Sequence, residues 1–158
     1  MKRLKLVYMR HLESLVKNMI NVKKNGKTIT KVLFFDEETG FWICSTGIIY
    51  KEKKDGTLEA VKQIRDQGHN GGAYLRVYSP LTKKRYYAHR LVAKHFLSGE
   101  KNQTEVNHKD MNVWNNRVEN LEWVSPKENR AHAANFDKSK LDLPYKKVNK
   151  KWIFLDNK

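Results

Sequence analysis

The sequence predicts an α+β fold, and three changes in its patterning along the chain predict it. Helix-spaced apolar residues open the chain, alternating strand-like segments bounded by turn residues fill its middle, and a strand, loop, strand and helix follow in order near residues 105–135. A length of 158 residues suits one domain or two small ones with a modest core.

Tyr8 to Asn25 reads as an amphipathic helix, because Leu12, Leu15, Val16, Met19 and Ile20 share an i, i+3, i+4 face and Asn25-Gly26 stops it. Thr28 to Phe35, Phe41 to Cys44 and Ile48-Ile49-Tyr50 are strand-like, and Lys53-Lys54-Asp55-Gly56 is a hairpin-type turn. Ala73 to Tyr78 and Lys84 to Tyr87 form a further hairpin around Ser79-Pro80-Leu81-Thr82, and Arg90 to Phe96 is a helix. Glu105 to His108 ends a short strand, Lys109 to Asn116 is a polar turn, and Leu121 to Val124 alternates as a half-buried strand should. Ser125 then caps a helix, with Pro126 in its first position and Glu128 placed to close a capping box. In the tail, the Trp152-Ile153-Phe154-Leu155 cluster is expected to dock or to add an edge strand. This divides the chain into a basic N-terminal helix or arm (1–31), a small antiparallel β module (32–84), the strand-loop-strand-helix unit with its preceding helix (85–136), and a basic tail (137–158).

Charge points to a polyanionic partner. The net charge is +15 with a pI near 9.9, well beyond what solubility asks. Residues 1–31 carry nine Lys/Arg against Glu13 alone, for +8, and residues 137–158 carry seven Lys against three Asp, for +4, which leaves +3 in between. Such flanking arms neutralise phosphates without reading sequence. Charge alone would suit an RNA-binding accessory protein equally well. Cys44, the single cysteine, allows no internal disulfide and no Cys-x-x-Cys zinc site. With no apolar run of membrane-span length and no signal-peptide core, a cytoplasmic protein, neither secreted nor anchored, is expected.

Charge does not account for the density of amides near residue 110. Asn107, Asn112, Asn115, Asn116, Asn120 and Asn129 fall close together with His108 and His132, and buried amides each need hydrogen-bond partners. Folded back, the unit can bring His108, Asn120, Asn129 and His132 to one point, as a one-metal site. Asn129 and His132, three apart, share a helix face.

Asn107-His108, the turn Lys109-Asp110-Met111-Asn112, Asn115-Asn116, Asn120-Leu121-Glu122-Trp123 and Asn129 together resemble the HNH endonucleases, especially the phage and intron-encoded homing type. Tyr87-Ala88-His89-Arg90-Leu91-Val92-Ala93-Lys94-His95-Phe96 is similar to the helix that precedes the nuclease motif in that family. Gly40 to Tyr50 is weakly similar to its upstream β module. The resemblance spans about residues 34 to 136. It implies a ββα-metal (His-Me finger) unit and metal-dependent hydrolysis of double-stranded DNA, by nicking or double-strand cutting.

By the same resemblance His108 would be the general base, an imidazole that titrates in the required range. Asn120 would accept a hydrogen bond from its other ring nitrogen. Asn107 and Asn129 would give oxygen ligands to one divalent ion, Mg2+ or Mn2+. Asn107 stands where many relatives have Asp, and His132 is the candidate to offset that neutral ligand. Arg90, Lys109, Arg117, Lys127 and Arg130 are the expected DNA contacts. The alternative function is an HNH-derived DNA-binding protein with little or no turnover.

Other residues have plainer readings. Asn115 and Asn116 read as turn formers, His89 as a satisfied structural histidine, and His95 and His11 as helix-surface residues. His69 lies in a glycine-rich loop. Trp123 is expected in the core, and Trp114 at a loop tip where it could touch DNA.

Overall fold

The computed structural model of the protein describes residues 18–24, 27–65, 74–137, 145–148 and 151–154. Five antiparallel strands form the first sheet in chain order: β1 (Asn18–Lys24), β2 (Lys27–Asp36), β3 (Phe41–Cys44), β4 (Ile49–Glu52) and β5 (Leu58–Ala60). A second sheet joins β6 (Ile64–Arg65), β7 (Leu75–Ser79) and β8 (Lys84–Tyr87), and helix α1 (Ala88–Phe96) follows β8 with no residue between them. Next come β9 (Glu105–His108), a short 3-10 turn at Val118–Asn120, β10 (Leu121–Val124) and helix α2 (Pro126–Asn135). The fold class is α+β, and β9, β10 and α2 make a ββα unit. The strands β11 (Tyr145–Val148) and β12 (Lys151–Phe154) pair with each other as a separate hairpin.

Strand β1 corrects the expected N-terminal helix over the part of it that is described. Asn18 to Lys24 pair with Leu33 to Lys27 in continuous antiparallel register. That register leaves only Asn25-Gly26 between the strands, the pair most favoured for a two-residue hairpin connection. Ile20 and Val22 suit a strand better than a helix, and cross-strand pairing outweighs a helical spacing whose anchors mostly precede residue 18. Residues 8–17 of that expected helix, His11 among them, lie outside the described residues, as does the His69 loop.

One buried cluster holds the sheets and the ββα unit together. Phe41, Ile43 and Ile49 from the first sheet meet Val77, Ala88, Leu91, Val92 and Ala93 from the second sheet and α1, and Val106 and Leu121 from β9 and β10 complete it. Full burial of each large side chain contributes roughly 1.5–3 kcal/mol. Trp123 packs against this cluster, as its strand position predicts, and its indole N–H points to the Ala93 carbonyl at 3.3 Å.

A charged contact fixes α1 from the other side. Asp36, at the end of β2, is buried, and its carboxylate meets His95 Nε2 at 2.8 Å and Lys94 Nζ at 3.2 Å. Glu38 also reaches Lys94, at 3.1 Å. His95 is therefore not a helix-surface residue: besides Asp36 it stacks on Phe34, ring centroids 5.9 Å apart.

The α2 terminus forms as its sequence predicts. Ser125 Oγ accepts from the Glu128 amide and the Glu128 carboxylate accepts from the Ser125 amide, a complete capping box with Pro126 at the first helical position.

Candidate active site

The antiparallel register of β9 and β10 pairs His108 with Leu121 and Asn107 with Glu122. Asn107 and His108 are the last two residues of β9, and both are buried. A cleft of about 210 Å³ opens there, lined by Asn107, His108 and Met111 on one side, by Asn129, Arg130 and Ala133 of α2 on the other, and by Tyr74. Asn107, His108 and Asn129 are thus brought together. A second hollow, sharing Tyr74, Val106 and Asn129 with the first, adds Tyr87, His89, Arg90 and Glu105.

The residue that holds the His108 ring is Asn116, not Asn120. His108 Nε2 lies 2.9 Å from Asn116 Oδ1. An amide carbonyl only accepts hydrogen bonds, so Nε2 carries the ring proton and Nδ1 remains the basic atom. Burial lowers the His108 pKa below the ordinary histidine value, against the opposing effects of the Asn116 hydrogen bond and the Asp110 charge, and so favours the neutral ring.

Asn120 instead braces the loop that carries Asn116. Its Oδ1 accepts from the Asp110 amide at 3.1 Å, and its Nδ2 donates to Asp110 Oδ1 and to the Asn115 carbonyl, both at 2.8 Å. Asp110 Oδ2 accepts from Asn115 Nδ2 at 2.7 Å, and Asp110 Oδ1 takes the Asn112 amide at 2.8 Å. Asn115 thus behaves as the turn former expected of it. Met111 adopts φ +59°, a left-handed conformation costly for a side chain with a Cβ.

The β module reaches this loop through Gly47. A Cβ on Gly47 would lie 2.7 Å from the carbonyl carbon and oxygen of Asn116, and Gly47 itself has φ +85°. The neighbouring Ser45 carbonyl accepts from the Val118 amide at 2.9 Å, and Gln63 Nε2 donates to the Gly47 carbonyl at 2.9 Å. Sequence reasoning passed over Gly47. The signal available was a glycine in the turn between two strand-like segments, Phe41 to Cys44 and Ile48 to Tyr50.

His132 does not line the cleft. Its ring packs on Phe136, centroids 5.6 Å apart, with Nδ1 buried and without a partner among the described residues. At roughly 100° per residue, Arg130 and Ala133 turn to one side of Asn129 and His132 to the other. His89 is buried beside His108, ring centroids 5.1 Å apart, and has no partner for Nδ1 among the described residues, so it is not the satisfied histidine expected. Burial, with the nearby His108 and Arg90 charges, lowers its pKa to about 3.

Among the cations expected to meet DNA, all five are exposed. Arg90 and Arg130 border the two hollows, whereas Lys109 Nζ reaches the Glu119 carbonyl and Arg117 pairs with the Glu119 carboxylate. The Arg65 guanidinium lies 5.2 Å from the Trp114 ring centre. Among the described residues no cluster of three or more His, Cys, Asp or Glu could hold a metal ion, so a cation in this cleft would depend on amide oxygens. No helix among the described residues is long and apolar enough to cross a membrane.

The family described as HNH endonuclease matches residues 86–131. The SPbeta prophage-derived protein YosQ of Bacillus subtilis (strain 168), named as an HNH homing endonuclease, is 38% identical over 97 residues, which cover 61% of this chain and 54% of YosQ. The DNA endonuclease I-HmuI of Bacillus phage SP01 is 32% identical over 121 residues, 75% of this chain and 67% of that protein. A solved structure of I-HmuI, titled for DNA binding and cleavage, aligns with 67% of this chain and 59% of its own at 30% identity and a TM-score of 0.48. The chain thus spans about half the length of YosQ and two thirds of I-HmuI. On the I-HmuI sequence match and the HNH motif it carries, this chain belongs to the HNH endonuclease family.

Proposed function

We propose that the chain is a divalent-metal-dependent DNA endonuclease that hydrolyses phosphodiester bonds with His108 as general base. The observation that carries this reading is the His108–Asn116 contact at 2.9 Å beside a cleft shared with Asn107 and Asn129. Asn116 fixes the tautomer, so Nδ1 can take a proton from the attacking water. Asn120 acts one step further out, by holding the loop that presents Asn116.

The donors around the cleft suit a hard cation. Asn107 and Asn129 each use their amide nitrogen on a carboxylate, leaving their carbonyl oxygens as ligands for Mg2+ or Mn2+. A bound ion would stabilise negative charge on the leaving 3′ oxygen. His132 has no part in this reading. Arg90 and Arg130, at the cleft, and Lys127 on the first turn of α2 would neutralise flanking phosphates, with Lys109 and Arg117 contributing from the loop. The basic termini would add affinity without sequence information, and the β module would hold the catalytic loop through Gly47.

The test is cleavage of supercoiled plasmid or phage DNA pools with Mg2+ or Mn2+. Nicked or linear product is expected, EDTA should abolish it, and His108→Ala should reduce the rate at least about 100-fold with DNA affinity nearly unchanged. Tight, salt-sensitive binding without metal-dependent cleavage of any DNA would replace this reading with that of a DNA-binding protein.

A further inference from the structure

Both asparagines that line the cleft have their amide NH2 committed to a carboxylate. Asn107 Nδ2 donates to Glu122 Oε1 at 2.8 Å, and Asn129 Nδ2 donates to Glu105 Oε2 at 2.7 Å. The backbone explains the pairing. Glu122 is the registered cross-strand partner of Asn107, and Glu105 lies two residues before Asn107 on the same strand, facing α2. Both are charge-assisted bonds in partly buried surroundings, stronger than ordinary amide contacts.

A primary amide is planar, so anchoring its nitrogen on one side fixes its oxygen on the other. Donation to an anion also moves electron density onto that oxygen. We infer that Glu105 and Glu122 are positioning residues for metal binding: they aim the Asn129 and Asn107 oxygens and strengthen them as donors. They also supply, one bond removed from the ion, the negative charge that an amide ligand in place of Asp does not carry. Outer partners of this kind typically change metal affinity about 10- to 100-fold. The inference rests on the metal-dependent reading above.

The experiment measures Mn2+ affinity of the full chain without DNA, from the electron paramagnetic resonance signal of the free ion, together with Tm. Glu122→Leu and Glu105→Leu remove both acceptor and charge and should weaken Mn2+ binding about 10- to 100-fold. In Glu122→Gln the side-chain carbonyl can still accept from Asn107, so aim is kept and charge lost, and the loss should fall between wild type and Glu122→Leu. This rescue separates positioning from a purely structural tie, which would lower Tm and leave the affinity of the folded protein unchanged.

Should the leucine variants fail to fold, the exchange Asn107→Asp with Glu122→Gln keeps the hydrogen bond between these positions and puts the carboxylate on the ion itself. It should bind Mn2+ at least as tightly as wild type, and weaker binding would overturn the inference. Wild-type Mn2+ binding and cleavage with unchanged affinity in the folded leucine variants would overturn the inference alone. Metal-dependent cleavage without measurable Mn2+ binding by the free wild type would overturn the inference alone, and absence of both would remove the metal-dependent reading with it.

Discussion

Asp36 and Gly47 both tie the upstream strands to the C-terminal unit, one with charge and the other by lacking a side chain. Asp36 buries a carboxylate against Lys94 and His95 of α1, none of which lines the cleft. Gly47 lets the β3–β4 turn press directly on the Asn116 backbone, one residue's length from the imidazole of His108. The first contact sets stability and the second sets geometry. A charged contact tolerates small shifts because Coulomb attraction falls off slowly with distance, whereas backbone against backbone transmits every displacement.

This contrast makes separable predictions. Gly47→Ala should have the largest effect on catalysis. Its Cβ would meet Asn116 at 2.7 Å in a left-handed conformation, and a displacement near 1 Å at a catalytic group costs on the order of 100-fold in rate. Single-turnover cleavage at saturating DNA would measure it, and a rate within threefold of wild type would mean that the contact does not position the loop. Asn116→Leu comes next. It keeps the volume but removes the acceptor for His108 Nε2, and the cleavage rate should fall about 10- to 100-fold with DNA affinity unchanged.

Asp36→Asn should reverse the pattern, with the rate of the folded protein within twofold and stability reduced. Burial alone would raise the Asp36 pKa, but bonds from His95, Lys94 and the Thr39 amide outweigh it and bring it from 3.8 to about 2. A carboxyl more acidic when folded contributes stability that is full above its unfolded pKa and is lost as pH falls toward 2. The contribution is about 2 kcal/mol at neutral pH. Urea unfolding at several pH values should therefore show wild type and Asp36→Asn well separated at pH 7 and converging below pH 4.

Much of this was legible in the sequence where local chemistry decides the outcome. The Ser125-Pro126-Glu128 start of α2 and the strands on either side of the amide-rich loop follow from spacing and capping rules; of the four residues expected to converge only His108 and Asn129 line the cleft, and Asn107 is singled out by the family resemblance. Which amide meets the imidazole does not follow from those rules. Asn115, Asn116 and Asn120 are chemically alike, and Asp110 decides among them by engaging the side chains of Asn115 and Asn120, so that Asn116 is left to turn inward. His95 looked peripheral because its partner lies 59 residues upstream. At Asn18 to Lys24 two local signals competed, and the register with β2 settled them in favour of a strand.

Strand β8 ends at Tyr87 and α1 begins at Ala88, whose side chain is wholly enclosed. A junction without spare residues cannot work as an elbow. For the proposed endonuclease, whatever the β7–β8 hairpin grips on a duplex is then carried rigidly with α1, and any bend between the two must come from the nucleic acid.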